Sequence, residues 1–194
     1  MNFEAAERFI LEKLDRELDE RLYYHNAAHT REVVTACRQL LQMEKVDGRT
    51  AQIILTAALY HDTGMLIRYE DHESASVKIL TETLPGFGYS GEEMDRVKEL
   101  ILDTREPRMA RDLSEQILFD ADLEALGRED FFIRSLCLQL EWSLYGIRKT
   151  TLREWFHSQV LFMEQHRYLT GSAQRLWQEH KQKNLEAVKE LLNL

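Results

Sequence analysis

Apolar residues recur along the chain at intervals of three and four, the spacing of one helical face, and no stretch shows the alternation of a half-buried strand. Phe3, Ile10, Leu14 and Leu18 mark a first helix. Val33, Val34, Cys37, Leu40 and Leu41 predict a second over about 28–45, broken by Asp47-Gly48. A third covers roughly 49–62 and stops at Thr63-Gly64, where glycine can adopt the left-handed conformation that ends helices. A fourth runs over about 71–83 to Leu84-Pro85-Gly86. Ser90 and Glu93 form a capping-box pattern at the start of a fifth, which ends near Thr104. Asp112 and Glu115 repeat that pattern before a sixth over about 113–126, closed by Gly127. Three more follow near 129–144, 150–167 and 172–192. With only two prolines and eight glycines, and no repeat, low-complexity tract or linker, residues 1–194 read as one all-α domain, a bundle of about nine helices.

Composition narrows the function. Hydrophobic residues make up 44% of the 194, enough for a core, and charged residues 30%. No apolar run approaches the roughly 20 residues of a membrane helix, so no membrane role is expected. The acid-bearing start lacks the basic-then-apolar order of a signal peptide. Cys37 and Cys137, far apart in helical contexts, suit reduced core residues and a cytoplasmic setting. A net charge of -9 repels a long polyanion, so a nucleic-acid polymer is disfavoured as partner, whereas a small anion can enter a locally basic pocket.

Candidate chemistry begins at "LYHDTG", residues 59–64. Ile53, Ile54 and Ala57 set the inward face of the third helix. His61 lies eight after Ile53 and four after Ala57, so it points inward too. Asp62 is about 100° further round, and converges with His61 only where helical geometry relaxes, at Thr63-Gly64. Asn26 can cap the second helix and place His29 in its first turn. Asp122, four after Leu118 and four before Leu126, faces the core, while Asp120 points elsewhere. Two imidazoles and two carboxylates from three helices suit a divalent cation such as manganese, iron, cobalt, zinc or magnesium. Burial alone leaves the plainer alternative of hydrogen-bonded core histidines and aspartates paired with arginine.

Other signals carry less. "GFGYSG" has the glycine spacing of a dinucleotide loop but follows a helix rather than a strand. "HNAAH" lacks the glutamate of a zinc-peptidase motif. His157, His166 and His180 are isolated, Trp142, Trp155 and Trp177 with Phe156 and Phe162 suit core or a subunit contact, and the long helical C-terminus permits a homodimer.

The order H…HD…D, with the words "YHNAAHT", "ALYHDTG", "HESAS" and "DADLEALGR" around it, resembles the HD-domain superfamily of metal-dependent phosphohydrolases, in particular a small bacterial branch. The resemblance spans about residues 20–130, leaving 130–194 as a helical extension. It implies a bundle of HD-domain type with His29, His61, Asp62 and Asp122 as ligands of one divalent metal ion. Two-metal relatives carry further histidines; His72 matches the first, but "ELILDTREP" offers Asp103 and Thr104 in place of the next. The implied reaction is hydrolysis of a phosphoester or phosphoanhydride of a small molecule, a nucleotide (cyclic ones included) being the expected substrate, by metal-activated water. Glu73, then His72 and His25, are the candidate acids or bases. Arg105, Arg108 and Arg128, with Lys98, are candidates to hold anionic oxygens; Arg111 lies in the same loop as the first two. A competing expectation is a non-hydrolytic metal-binding regulator of the same fold.

Overall fold

The computed structural model describes residues 1–105 and 110–193, and these contain nine α-helices and no strand. They are α1 (Phe3–Glu17), α2 (Ala27–Met43), α3 (Gly48–Tyr60), α4 (His72–Thr83), α5 (Gly91–Leu102), α6 (Leu113–Asp122), α7 (Phe131–Leu144), α8 (Leu152–Gln165) and α9 (Gly171–Leu192). Short 3-10 turns at Thr63–Leu66, Leu84–Phe87 and Glu124–Gly127 follow α3, α4 and α6.

The expected start signals operate. Asn26 Oδ1 accepts from the backbone N–H groups of Ala28 and His29, at 2.9 and 3.2 Å, and the Ser90–Glu93 capping box forms in full. The Asp112–Glu115 box forms by half. Asp112 accepts from the N–H groups of Ser114 and Glu115, but Glu115 turns to Arg111, whose charged guanidinium is a stronger donor than the cap's own N–H.

Two ends differ from expectation. Helix α3 closes at Tyr60 and α6 at Asp122, each tightening into a 3-10 turn. Gly64 is not in the left-handed region; the positive-φ glycines among the described residues are Gly48, Gly88 and Gly146. Glycine is needed at 64 for space instead, because a Cβ there would lie 1.8 Å from the carbonyl oxygen of His72.

The main core joins α1 to α6, with Ile10, Leu40, Ile54, Leu80, Leu100 and Ile117 fully buried. Helix α2 packs on α3 and α6, and α5 on α3 and α4. A second cluster, around Phe131, Trp155, Phe156, Val160 and Val188, binds α7, α8 and α9 together. Cys37 is buried and Cys137 half-buried, and both are free thiols. Phe162 stays largely exposed. No helix among the described residues is long and apolar enough to cross a membrane.

The C-terminal helices are tied to the end of α6. Asp120 accepts from the N–H groups of Leu169 and Thr170 and from the Thr170 hydroxyl, at 2.7–2.8 Å, so it does point away from Asp122's side of the helix. Gly127 lets α9 approach so closely that an added Cβ would sit 2.5 Å from the Cβ of Trp177. Asn184 on α9 donates to the carbonyls of Leu126 and Arg128.

Within that extension Lys181 is buried, donating to the His166 carbonyl at 2.7 Å. Burial, with a minor contribution from Arg167, lowers its ammonium from 10.5 to about 8. Between pH 8 and the ordinary lysine range the unfolded chain therefore holds a proton that the folded chain has released, so this group makes stability rise with pH. Denaturant unfolding at pH 7 and pH 9.5 should show the wild type gaining stability relative to Lys181→Met over that interval; equal pH dependence in the two proteins would refute the buried-ammonium account.

Candidate metal centre

Four side chains meet where α2, the end of α3 and the end of α6 converge. Nε2 of His29 lies 3.2 Å from Oδ1 of Asp122 and 3.5 Å from Oδ2 of Asp62. Nε2 of His61 lies 3.1 Å from Oδ2 of Asp62 and 3.3 Å from Oδ1 of Asp122. Among the described residues, His29, His61 and Asp122 each offer one ligand atom within 4.8 Å of the others, and all three are buried. Asp62 is 7% exposed.

Local structure explains the convergence. His61 keeps helical backbone angles, while Asp62 moves to φ -104, ψ 5, which swings its carboxylate back beside the preceding imidazole. The Ser76 hydroxyl, on α4, donates to the carbonyl of His61 and accepts from the N–H of Gly64, both at 2.7 Å. Thr63 closes the turn through the Tyr60 carbonyl at 2.8 Å.

The donor set fits a cation. Nδ1 of His61 lies 2.8 Å from the Ala58 carbonyl and, as its donor, leaves Nε2 with its lone pair directed at the cluster. That Nε2 and Oδ2 of Asp62 are both buried without a hydrogen-bond partner among the described residues. Two such atoms of complementary ligand type, side by side, suit a shared positive ion. The carboxylates favour positive charge at this point, which a proton on Nε2 or a cation in its place can supply: burial pushes the His61 imidazole down, yet Asp62 and Asp122 together hold it well above its ordinary value. Burial likewise works to raise Asp62, and His61 and His72 hold it well below the usual carboxylate range.

His72 and Glu73 open α4 beside this cluster. Nε2 of His72 lies 3.3 Å from Oδ1 of Asp62 and 3.7 Å from Oε1 of Glu73, while its Nδ1 sits 3.0 Å from the Tyr69 carbonyl. Arg105 bonds to Asp71 and Ser74, and its Nε lies 3.5 Å from Oε2 of Glu73, buried and without a hydrogen bond among the described residues. Arg128 is committed to Glu124 and Asp130, and Lys98 to Asp95 on the same helix. Arg111 pairs with Asp103 and Glu115. Arg108 lies outside the described residues.

His25 stands next to the cluster, its ring centroid 5.9 Å from that of His29 and 6.2 Å from that of His72. Its Nδ1 pairs with Glu141 of α7, a fully buried carboxylate that sequence reading passed over. The available signal was local: Glu141 and Arg134 are the only charges in the apolar run 131–144. Tyr24 was missed too; its ring lies 4.9 Å from that of His29, and burial with the nearby Asp122 and Asp62 pushes its phenol up.

A family model for the HD domain matches residues 26–125. An uncharacterised protein of Clostridium beijerinckii is 32% identical over 109 residues, 55% of this chain and 68% of the relative. A guanosine-5'-triphosphate,3'-diphosphate pyrophosphatase of Pseudoalteromonas atlantica is 27% identical over 127 residues, covering 58% of this chain but only 25% of the longer protein. Two solved structures share the fold across nearly the whole chain. A predicted HD superfamily hydrolase from an uncultured Thermotogales bacterium has a TM-score of 0.65 at 20% identity, over 96% of this chain and 91% of that one. Bacillus subtilis YpgQ, in complex with ADP, has a TM-score of 0.66 at 18% identity, over 97% and 95%. The chain belongs to the HD-domain family, and with it to the metal-dependent phosphohydrolases as a class.

The packing at Gly64 yields a test. Gly64→Ala must push α4 away from the His61-Asp62 turn, at a cost of roughly 3 kcal/mol for backbone overpacking. Thermal unfolding should show that loss, and metal titration a weakened site; wild-type behaviour in both would mean the turn is not set by this contact.

Proposed function

We propose that the chain hydrolyses a phosphoester or phosphoanhydride of a small phosphorylated compound, a nucleotide in particular, using one divalent metal ion held by His29, His61, Asp62 and Asp122. The observation that carries this reading is the pair of orphaned buried atoms, His61 Nε2 and Asp62 Oδ2, beside the equally buried His29 and Asp122. When bound, the ion supplies Lewis acidity toward a phosphoryl oxygen and lowers the pKa of the water it holds. The protein's groups do the rest. Asp62, through its second oxygen, keeps His72 against the cluster. His72, Glu73 and His25 line the approach and are the groups able to pass a proton to the leaving oxygen. Arg105, with a buried Nε that bonds to nothing among the described residues, is the guanidinium best placed to hold an anionic oxygen beside Glu73.

The nucleotide assignment draws support from YpgQ, solved with ADP, and from the pyrophosphatase relative, whose substrate is a guanosine nucleotide by its name. Lys98 and Arg128 contribute less in this reading, since each is held by neighbouring carboxylates. A second reading, a non-hydrolytic metal-binding regulator, draws on Ile133, Leu136, Leu140 and Leu144, which form an exposed apolar stripe on α7.

Elemental analysis, paired with a manganese-supplemented screen of nucleoside mono- and triphosphates, cyclic nucleotides and other phosphorylated metabolites, separates the two. The expected result is about one ion per chain and turnover of a nucleotide, with His61→Ala and Asp62→Ala remaining folded but losing the ion and at least about 100-fold in rate. Metal retained with no turnover of any phosphorylated compound would favour the regulator.

A further inference from the structure

Glu141 is an ionisable group that the reading above leaves without a task. It comes from α7, beyond the residues matched by the family model, and none of its surface is exposed. A buried carboxylate persists only when its oxygens are satisfied, and this one is satisfied almost wholly by one short segment. Its Oε2 accepts from the N–H groups of Tyr24 and His25, at 2.8 and 3.0 Å. Its Oε1 pairs with Nδ1 of His25 and accepts from the Tyr69 hydroxyl at 2.8 Å. One side chain therefore fixes both the backbone and the ring of His25.

With Nδ1 engaged by a carboxylate, the ring presents Nε2 as its other polar atom. No hydrogen bond to Nε2 is found among the described residues, and the His25 side chain keeps 18% of its surface exposed. The ring stands in edge contact with His29 and near His72, at the margin of the cluster. Tyr69 is braced in turn by stacking on Tyr145 at 4.6 Å, with Arg21 5.0 Å above that ring.

We propose that Glu141 is a positioning residue: it holds His25 so that Nε2 meets a phosphoryl oxygen of the substrate at the margin of the metal cluster. This rests on the reading under Proposed function, and it makes α7 part of the active site. The arrangement is that of a carboxylate orienting an imidazole through Nδ1, with the imidazole turned toward substrate rather than metal.

The test compares wild type, Glu141→Gln, His25→Ala and the double variant, each loaded with manganese. Glutamine keeps an acceptor for the Tyr24 and His25 N–H groups and removes the charge facing Nδ1, so the fold should survive. Glu141→Gln should keep the wild-type metal content, weaken inorganic phosphate about tenfold by calorimetry and lower kcat roughly 10- to 100-fold on whichever phosphorylated compound is turned over. In the His25→Ala background Glu141→Gln should change neither quantity further, the coupling expected of two residues acting as one unit. Multiplicative losses, or wild-type phosphate affinity in Glu141→Gln, would overturn the proposal. If no phosphorylated compound is hydrolysed yet phosphate binding shows the coupling, the hydrolase reading fails and the positioning role stands. If hydrolysis proceeds equally well in Glu141→Gln, the role fails and the hydrolase stands.

Discussion

Two carboxylates held in a nearly dry interior govern this molecule. Asp62 and Asp122 are 7 and 8% exposed, a placement that costs several kcal/mol per ion unless positive charge lies beside each. Imidazole nitrogens from two different segments, His29 and His61, lie beside them, and a mixed nitrogen and oxygen set of this kind suits a divalent ion. The requirement reaches outward through the chain. The cap at Asn26, the hydroxyl of Ser76 and the missing side chain at Gly64 matter because the first sets where α2 begins and the other two hold the turn that follows α3. The apolar core orients the helices, and their ends are what bring opposite charges within 3.1–3.5 Å.

Much of that plan was legible in the sequence because it is periodic. His61 and Asp122 stand at core-facing positions of their helices, and an asparagine three residues before His29 announces a helix start. The less legible features are those that depend on tertiary approach. Gly64 carries the composition of a helix stop, and nothing in its neighbourhood in the chain says that α4 will lie against it. Glu141 meets His25 across 116 positions, a separation at which spacing rules are silent. Glu115 shows the same limit on a smaller scale, since a capping glutamate was diverted by an arginine one residue before the cap.

The arginines near the cluster already have partners in this acidic chain. Arg105, Arg111 and Arg128 all engage carboxylates. Such neutralised guanidiniums do not form a standing basic patch. Exposed ion pairs of this kind exchange partners readily because each contributes little. Arg105 differs in one respect, since its Nε is already sheltered from water and lacks a partner among the described residues.

The contact between Gly127 and Trp177 has a mechanical consequence. Backbone approaches side-chain base there with no intervening atom, five residues beyond Asp122 and on the same tightened turn. With Asn184 bridging the two carbonyls that flank that glycine, the last helix acts as a splint on one of the four cluster side chains. Any loosening of α9 is thereby transmitted to the charged centre, although no residue of α9 reaches the cluster itself.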